Sequence, residues 1–447
     1  MDKDILEIAC KGIEKIKRKI EQADIYVEKR KAISLKWKKS ALKQAEVHYV
    51  EGLSVRAFHK GGRGFVSSSP LHEEVLNRAI ESAVSLARAA QPDPDFKSLP
   101  SPEEGKGVKG LYDEKIAFLS AFDLASWGEE IIEGAKGVDE KAIISGEISA
   151  IVVEFALANT EGVAIEEKQT AVGASAMVVL EKDGETASFF EFDEARNLKD
   201  FHPLDIGEKA ALQAEELFGA KQAPTGNYPV VFSYIMAPSI IGAVAAAANG
   251  EEVQRKRTFL VGKKGQKIAW EGLSVEDLPL IEGGMASASY DGEGVPHKEL
   301  NFIEEGILMT YFHNSYTANK AKEENTGHAA RYSYMGGVGI SPTNLQIKLG
   351  DWSLEEMIQD MKRGVYILSA GIQPNLASGD VSGPVDFGFM IEDGEKAYPL
   401  KNTMIGFNFK ELLQNIDAIS RDFREEPGIK MPAIRVQNIK IGGEKSG

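Results

Sequence analysis

The strongest local cluster of possible metal ligands is the segment Asp291-Gly292-Glu293-Gly294-Val295-Pro296-His297. Two carboxylates and an imidazole in so short a segment could bind a divalent cation, which would activate a water molecule for hydrolysis. Glycine and proline are also typical residues of turns, and acidic turns usually bind only water. The segment therefore has two interpretations. It is either an independent metal-dependent hydrolase site formed by Asp291, Glu293 and His297, or a solvated turn, which is the more common case.

Two further histidines lie in polar surroundings near the C-terminal half of the chain. His313 follows a predicted strand in the segment Tyr-Phe-His-Asn-Ser-Tyr, and His328 lies in Thr-Gly-His-Ala-Ala-Arg. Either imidazole could line a cleft, although a lone histidine is more often a structural or surface residue. The sequence alone does not bring His297, His313 and His328 together in space.

Other catalytic signatures are absent from the sequence. A helical zinc protease needs a second histidine one turn after its His-Glu pair, but His72-Glu73 is followed there by Leu76 and Asn77. The sequence contains no Gly-x-Ser-x-Gly elbow and no phosphate-binding Walker loop. Its single cysteine, Cys10, excludes an intramolecular disulfide and every cysteine-rich metal site. Nucleophilic and nucleotide-dependent chemistry therefore have little support.

The composition is that of an acidic globular protein of 447 residues with a net charge of −16. This balance argues against broad binding of nucleic acid, because phosphate contacts require a concentrated cationic face. Three short basic clusters are typical of solvated surfaces, and lysines also guard the edges of sheets. These clusters are Lys29-Arg30-Lys31, Lys36-Trp37-Lys38-Lys39 and Arg255-Lys256-Arg257.

The apolar pattern predicts a cytoplasmic protein without a membrane partner. The first residues alternate charged and apolar groups, where an export signal would need an uninterrupted apolar core. The longest apolar run, residues 235–248, is interrupted by Pro238 and is shorter than the roughly 20 residues of a membrane span. We expect this run to form a buried helix, and the single cysteine fits a reducing compartment.

The order of helical and strand patterns predicts an α+β protein. Residues 1–90 should form an antiparallel sheet covered by helices, with short strands broken at Glu51-Gly52 and at Gly61-Gly62. Residues 91–112 are rich in proline and glycine and should form a linker. Residues 113–222 should form a middle α/β domain, and residues 223–447 a mixed, β-rich C-terminal domain with hairpins that turn at glycines.

Several motifs, taken in order, resemble the TldD/PmbA family and within it the PmbA (TldE) branch. The resemblance covers nearly the whole chain, and four or more motifs occur in the family's order. They are Glu51 to Phe58 with Gly64-Phe65-Val66-Ser67, Asn159-Thr160-Glu161-Gly162, Asp291 to Pro296 with Phe312-His313-Asn314, and Ser378 to Ser382 with Ile391 to Glu395. The family resemblance implies a cytoplasmic two-subunit metalloprotease that acts on unfolded or extended peptides.

The chain departs from the catalytic branch of this family at one helix. TldD-type chains carry a His-Glu-x-x-x-His helix and a further cysteine ligand, whereas the corresponding residues 237–250 contain neither His nor Glu, and no cysteine follows Cys10. The resemblance therefore implies a subunit without catalytic residues or a metal of its own, inactive alone. Its partner would be a TldD-type subunit that holds zinc, and a homodimer remains open when that partner is missing.

The resemblance also suggests which residues would contact an extended peptide substrate. The candidates are His313, Asn314, Arg331, Tyr332 and Tyr334. Their alternative interpretation is ordinary hairpin and loop surface. Two other functions stay open beside the subunit role: the independent hydrolase described above, and a non-proteolytic regulatory binding protein, because the family name records a link to gyrase modulation.

Overall fold

The computed structural model describes residues 4–443 and confirms the α+β class. Its helices are α1 (Ile5–Ile16), α2 (Glu73–Ala89), α3 (Glu114–Ala117), α4 (Ala121–Val138), α5 (Pro203–Glu215), α6 (Met236–Ala247), α7 (Gly250–Gln254), α8 (Ser315–Ala321), α9 (Leu354–Gln359) and α10 (Phe409–Gln414). Its first strands are β1 (Gln22–Lys38), β2 (Ala41–His59), β3 (Gly62–Ser68), β4 (Ile143–Asn159), β5 (Ala164–Lys182) and β6 (Glu185–Ala195). The later strands are β7 (Gly226–Phe232), β8 (Val275–Asp277), β9 (Leu300–Glu304), β10 (Ile307–Leu308), β11 (Ala329–Ala330), β12 (Gly339–Ile340), β13 (Leu345–Ile347), β14 (Arg363–Ala370), β15 (Asp380–Glu392), β16 (Glu395–Pro399), β17 (Met404–Asn408), β18 (Ile416–Glu426) and β19 (Ile429–Gly442).

Strands from both sides of the predicted linker form one antiparallel six-stranded sheet. Its order is β3-β2-β1-β4-β5-β6, so β1 pairs with β2 on one side and with β4 on the other. The expected break at Glu51-Gly52 is wrong, because β2 runs without interruption through both residues. Glycine is needed there for packing rather than for a turn, since a Cβ on Gly52 would lie 2.3 Å from the ring of Tyr334.

Side chains alternate between the two faces of this sheet, as the period of two in a strand requires. The face under the helices is apolar, and α1 and α2 cover one part of it while α4 and α5 cover the other. On β1 this face carries Ala23, Ile25, Val27, Ile33, Leu35 and Trp37, all buried. The opposite face of the same strand carries the buried polar side chains Asp24, Tyr26 and Glu28. This polar face is turned towards the C-terminal part of the chain.

The C-terminal part is built around a closed ring of paired strands. Strand β14 pairs with β7, then β19, β17 and β15 follow, and β15 pairs back with β14. The hairpins β9–β10 and β15–β16 confirm the predicted turns at Gly306 and Gly394. Helix α6 packs against β14 and β19 and buries Ile240, Ile241 and Val244 in the largest apolar core. The apolar run predicted as a buried helix therefore forms one, which ends one residue before the run does, and Asn249 then caps α7.

The segment that connects α2 to α3 is extended and lies against both the six-stranded sheet and the C-terminal part of the chain. The backbone N–H of Leu99 donates to Gln22 of β1, and the N–H of Gly105 donates to the hydroxyl of Tyr290. In the part of the chain that the structure describes, none of the helices combines the length and the apolar character that crossing a bilayer would require.

Candidate functional site

Four charged side chains from distant parts of the chain form one buried network where the sheet meets the C-terminal loops. Arg56 on β2 donates from Nε to Asp24 on β1 at 2.7 Å and from Nη1 to Glu293 at 3.0 Å. Arg331 donates from Nη2 to both carboxylate oxygens of Asp24 at 3.0 Å. Glu293 also accepts the backbone N–H of Ser315 at 3.0 Å. These charges are at most 5% exposed, so they are paired with one another away from solvent.

Burial and pairing act in opposite directions on the pKa values of this network. Burial alone would raise the pKa of Asp24, but the guanidinium groups of Arg331 and Arg56 outweigh it and hold the pKa below its usual range. Burial alone would lower the pKa of Arg56, but Asp24 and Glu293 reverse this and raise it. For Arg331, burial prevails and lowers the pKa. The charged form of Asp24 therefore depends on both arginines.

Asp291 organises a turn beside this network through backbone contacts. Its Oδ1 accepts the N–H groups of Glu293 at 2.8 Å and Val295 at 3.0 Å, and its Oδ2 accepts the N–H of Ala329 at 3.0 Å. Burial and the neighbouring charge of Glu293 raise the pKa of Asp291 to about 7, against the effect of those three donors. The side chain therefore holds together the turn and the start of β11.

The structure does not support a metal site formed by Asp291, Glu293 and His297. Asp291 is committed to backbone donors and Glu293 to Arg56 and a backbone N–H, which leaves His297 without either carboxylate as a co-ligand. Among residues 4–443, no group of three or more His, Cys, Asp or Glu side chains is arranged to hold a metal ion. The segment is a turn, but a buried one rather than a solvated one, since both carboxylates are buried.

The histidines that the sequence could not place lie near one another in the interior. The rings of His297 and His328 are perpendicular with centroids 5.9 Å apart, and His328 Nε2 lies 3.6 Å from Asp277 Oδ1. Burial, with a smaller contribution from His328, lowers the pKa of His297 to about 4. His313 Nδ1 lies 3.1 Å from the hydroxyl of Thr317, and burial lowers the pKa of His313 also. All three imidazoles are thus buried core groups, and burial favours the neutral form of His297 and His313.

A cavity of about 410 Å³ opens beside the charged network, between the sheet and the C-terminal loops. Asn314 lies in its wall as the N-cap of α8, where its side chain accepts the N–H of Thr317 at 2.9 Å. The wall combines cationic and aromatic side chains with a few carboxylates and hydroxyls. These include Arg56, Arg63, Arg255, Phe58, Phe96, Tyr316, Asp93, Glu251, Glu293 and Ser315. Such a wall can bind the acidic and aromatic groups of a peptide.

The apolar helix α6 leads directly to this cavity. After α6, the N–H of Gly250 donates to the carbonyl of Phe312 at 2.8 Å, and the N–H of Phe312 donates to the carbonyl of Ala248 at 3.0 Å. A Cβ on Gly250 would lie 2.5 Å from Nδ1 of His313, so the two segments touch closely. Helix α7 then contributes Glu251 to the cavity wall, and Arg255, the residue after α7, lies in the wall as well.

The five candidate substrate residues are placed in three different environments. Asn314 lines the cavity, and His313 lies buried directly behind it. Arg331 and Tyr334 fix the C-terminal loops to the sheet, since Arg331 binds Asp24 and the N–H of Tyr334 donates to Glu28 at 2.9 Å. Tyr332 is 75% exposed and away from the cavity wall. Sequence reasoning missed Arg56, Arg63 and Arg255, because nothing local marks an arginine whose neighbours come from another domain.

A larger groove of about 840 Å³ lies between β6 and the β18–β19 hairpin. Two of its carboxylates are paired across the groove, since Arg424 donates to Glu191 and to Glu426, each at 2.7 Å. The Arg424 guanidinium also lies over the ring of Phe192 at 4.4 Å. Arg424 therefore joins the β18–β19 hairpin to β6 across this groove.

Models of three successive domains of one family match the chain. They are PmbA/TldA metallopeptidase domain 1 over residues 23–87, the central domain over residues 112–218 and the C-terminal domain over residues 225–443. The chain belongs to the PmbA/TldD family. This family is metallopeptidase-like, and the chain resembles the metalloprotease PmbA of Escherichia coli O157:H7 at 24% identity, over 98% of this chain and 96% of that protein.

Further relatives of the PmbA/TldD family cover the same length. A metalloprotease of Methanocaldococcus jannaschii is 28% identical over 93% of this chain and 94% of its own. The crystal structure of TldE from Thermococcus kodakarensis superposes with a TM-score of 0.89 at 24% identity, over 96% of this chain and 99% of that chain. The fold is therefore that of the TldE/PmbA proteins, with the β-rich C-terminal domain that the resemblance implied.

The residues of α6 do not fit the zinc ion that the family's metallopeptidase name implies. Zinc requires nitrogen, sulfur or oxygen donors, whereas the buried side chains of this helix are those of Met236, Ala237, Ile240, Ile241, Val244, Ala245 and Ala247. They pack against aromatic and aliphatic core residues instead of projecting into a polar space. No catalytic step through a metal can be assigned to this helix.

We expect the substitution Gly52→Ala to destabilise the protein by about 1–3 kcal/mol, because a methyl group would overlap the ring of Tyr334. Chemical unfolding would measure the change. Gly107→Ala is the control, since a Cβ there meets no atom within 4 Å. Adding Tyr334→Leu to Gly52→Ala should recover part of the loss. Equal stability of both single variants would show that Tyr334 does not pack over β2.

Proposed function

We propose that this chain is the non-catalytic TldE-type subunit of a two-subunit cytoplasmic metallopeptidase. A TldD-type homologous chain supplies zinc and hydrolyses the peptide bond. The present chain completes the chamber and holds extended peptide substrates next to the partner's metal. The name of the TldE neighbour and the PmbA-type relatives support this assignment.

The observation that carries the proposal is the chemistry of α6. Activation of water at neutral pH requires a cation that lowers the pKa of the bound water towards roughly 7, and a carboxylate to accept the proton. Where relatives with the His-Glu-x-x-x-His helix hold their metal, the buried face of α6 carries side chains without a nitrogen or oxygen donor. They are those of Met236, Ala237, Ile240, Ile241, Val244, Ala245 and Ala247. A helix that fills the core stabilises the subunit but leaves hydrolysis to another chain.

The cavity beside Asn314 supports the substrate-holding role. It lies between the sheet and the C-terminal loops, and its wall includes Glu251 and Arg255 of the segment that follows α6. Arg63 and Arg255 are exposed, so their guanidinium groups can contact carboxylates of a peptide. Phe58 and Phe96 stack at 4.1 Å between ring centroids and give the wall a rigid aromatic surface.

The test compares the isolated chain with the complex formed with the TldD-type chain of the same genome. We expect the isolated chain to contain no stoichiometric zinc and to leave an unstructured fluorogenic peptide intact. The complex should hydrolyse that peptide, and replacing the glutamate of the partner's His-Glu-x-x-x-His helix by glutamine should abolish the activity. Tightly bound zinc in the isolated chain, or hydrolysis by it alone, would refute the proposal.

A variant of the cavity tests the substrate-holding part separately. Arg255→Ala in the active complex should raise KM for an acidic peptide about tenfold and leave kcat unchanged, because it removes a contact made before the chemical step. Lys209→Ala on α5 is the control, since its ion pair with Asp205 is on the solvent surface. An unchanged KM for Arg255→Ala would place the peptide elsewhere.

A further inference from the structure

Strand β2 has a long free edge. Strand β1 pairs with it along its whole length, but β3 pairs only with residues 53–59, and in the described part of the chain no strand pairs with the outer side of residues 41–50. Beyond this edge the hydroxyl of Ser69 donates to the carbonyl of Glu51, which marks the end of the free region. Ten residues of strand span roughly 33 Å. Outward-facing N–H and C=O groups on this scale form a template for another strand.

The free edge carries apolar side chains that the fold itself does not use. Leu42 is 55% exposed, Val47 48% and Tyr49 75%, and Val50 is exposed as well. A monomeric protein usually prevents pairing at such an edge with charged side chains on both faces or with proline. The residues 41–50 contain no proline, and Lys43 and Glu46 are their only carboxylate or ammonium side chains.

Further apolar groups lie above and below the edge. Lys31, directly opposite Tyr49, donates to the carbonyl of Ala117, which brings the neighbouring Phe118 and the start of α4 to this end of the sheet. On the other face, Arg30, directly opposite Val50, donates to the carbonyl of Tyr332.

The exposure of these groups is large. Phe118 is 77% exposed and Phe122 of α4 83%, while Tyr332 is 75% and Met335 63% exposed. A surface with apolar groups on both faces of an open edge is broader than a single peptide strand can cover. It fits a folded protein that adds its own sheet edge.

The positive charge at the tip of the β1–β2 hairpin indicates the charge that a partner strand should carry. The segment from Lys36 to Lys43, which forms the tip of the β1–β2 hairpin, contains Lys36, Lys38, Lys39 and Lys43 and no acidic residue, in a chain of net charge −16. Two copies of this tip would repel each other, whereas an acidic strand would be attracted. The same edge is therefore poorly suited to pairing with itself.

We propose that the edge of β2 over residues 41–50 is the docking surface for the TldD-type subunit, which adds an acidic strand of its own sheet to it. This inference rests on the proposed function and locates the contact that the function requires. The joined sheets would cover Tyr49 and Val47 together with the exposed aromatic groups on the two faces. Tyr332, a candidate substrate residue that lies outside the cavity wall, would then contact the partner rather than the peptide.

Binding of the TldD-type chain of the same genome, measured by titration calorimetry, tests this surface. Val47→Asp/Tyr49→Asp should raise Kd about 100-fold, because it places two charges at the centre of the interface. Lys38→Glu/Lys43→Glu should also weaken binding, about tenfold, by repelling the acidic strand. Leu86→Asp/Leu212→Asp is the matched control, since these leucines on α2 and α5 are 50% and 46% exposed and distant from the edge in sequence. All the substituted side chains are at the surface, so we expect unchanged thermal midpoints.

The outcomes separate this inference from the proposed function. Loss of binding in both edge variants, with normal binding by wild type and control, supports the docking surface. Equal binding by all four proteins overturns the docking surface and leaves the two-subunit function standing. A wild-type chain that does not bind the TldD-type chain overturns both. A wild-type chain that forms only homodimers, which the edge variants disrupt, identifies a second copy as the occupant and overturns the inference.

Discussion

Replacing Arg56 by methionine should lower the free energy of unfolding by about 3–5 kcal/mol, because it leaves buried carboxylates without their cation. Arg56 is the only side chain of the described network that contacts both Asp24 and Glu293. Asp24 would retain Arg331, but Glu293 would keep only the backbone N–H of Ser315. Methionine fills a similar volume, so the loss reports the missing charge rather than a cavity. Urea unfolding followed by circular dichroism would measure it.

Two comparisons identify the mechanism of that loss. Adding Glu293→Gln to Arg56→Met should recover about 1 kcal/mol or more, because it removes the unpaired charge. Lys209→Met, which breaks the exposed pair with Asp205, should cost less than about 1 kcal/mol. If Arg56→Met lowered the free energy of unfolding no more than Lys209→Met, the charged network would not be holding the sheet and the C-terminal loops together.

The pH dependence of the Arg56→Met effect has a definite sign. The folded-state pKa of Asp24 lies below its unfolded value, so its pairing stabilises the protein above the unfolded pKa and this stabilisation is lost as the pH falls through the folded pKa. Arg56→Met removes part of the effect that lowers the pKa of Asp24 in the folded state. The difference between wild type and variant should therefore shrink as the pH is lowered from 7 towards 3. A difference that grew on acidification would contradict this origin.

Local patterns in the sequence were enough to predict elements but not their partners. The apolar run at residues 235–248 predicted a buried helix, and α6 occupies most of it, because a helix so rich in apolar side chains is stable only when most of it packs in a core. The pairing of β1 with β4, which are separated by more than one hundred residues, has no such local signal. Gly52 shows the limit most clearly, since the sequence favours a turn there and only the position of Tyr334 explains a glycine within a strand.

The sequence predicted the candidate site only where its contacts join residues that are close together in the chain. Glycine and proline indicated a turn at Asp291 and left a metal site as the alternative, and the donors that decide between them lie two and four residues away. The contact of Arg331 with Asp24 joins residues 307 positions apart. Side chains along β1 alternate between the two faces of the sheet, but which face carries Asp24 towards Arg331 is known only from the burial of both faces. Of the candidate substrate residues only Asn314 lines the cavity, and the three arginines of the cavity come from separate segments of the chain. Motif resemblance supplied the family, which the domain matches confirm.

Replacing Ile241 by glutamate should lower the free energy of unfolding by about 4 kcal/mol or more, because a carboxylate would enter an apolar core without a partner. Ile241 is 1% exposed and packs in the largest apolar cluster. Burial should raise the pKa of the new carboxyl, so the deficit should shrink as the pH falls from 7 to 4. Ala246→Glu on the exposed side of the same helix is the control and should cost about 0.5 kcal/mol or less. Ile241→Met should cost less than about 1.5 kcal/mol.

The same helix allows a direct test of whether residue type alone decides metal binding. The triple substitution Ile240→His/Ile241→Glu/Ala245→His creates the His-Glu-x-x-x-His spacing at three buried positions. Zinc needs a space lined by donors and the ordered groups that orient its ligands, and the surroundings here are aliphatic and aromatic side chains. We therefore expect the variant to be at least as unstable as Ile241→Glu, with no recovery on adding zinc. Restored stability with one equivalent of zinc would mean that α6 faces a metal pocket, and the assignment of this helix to the core would have to be abandoned.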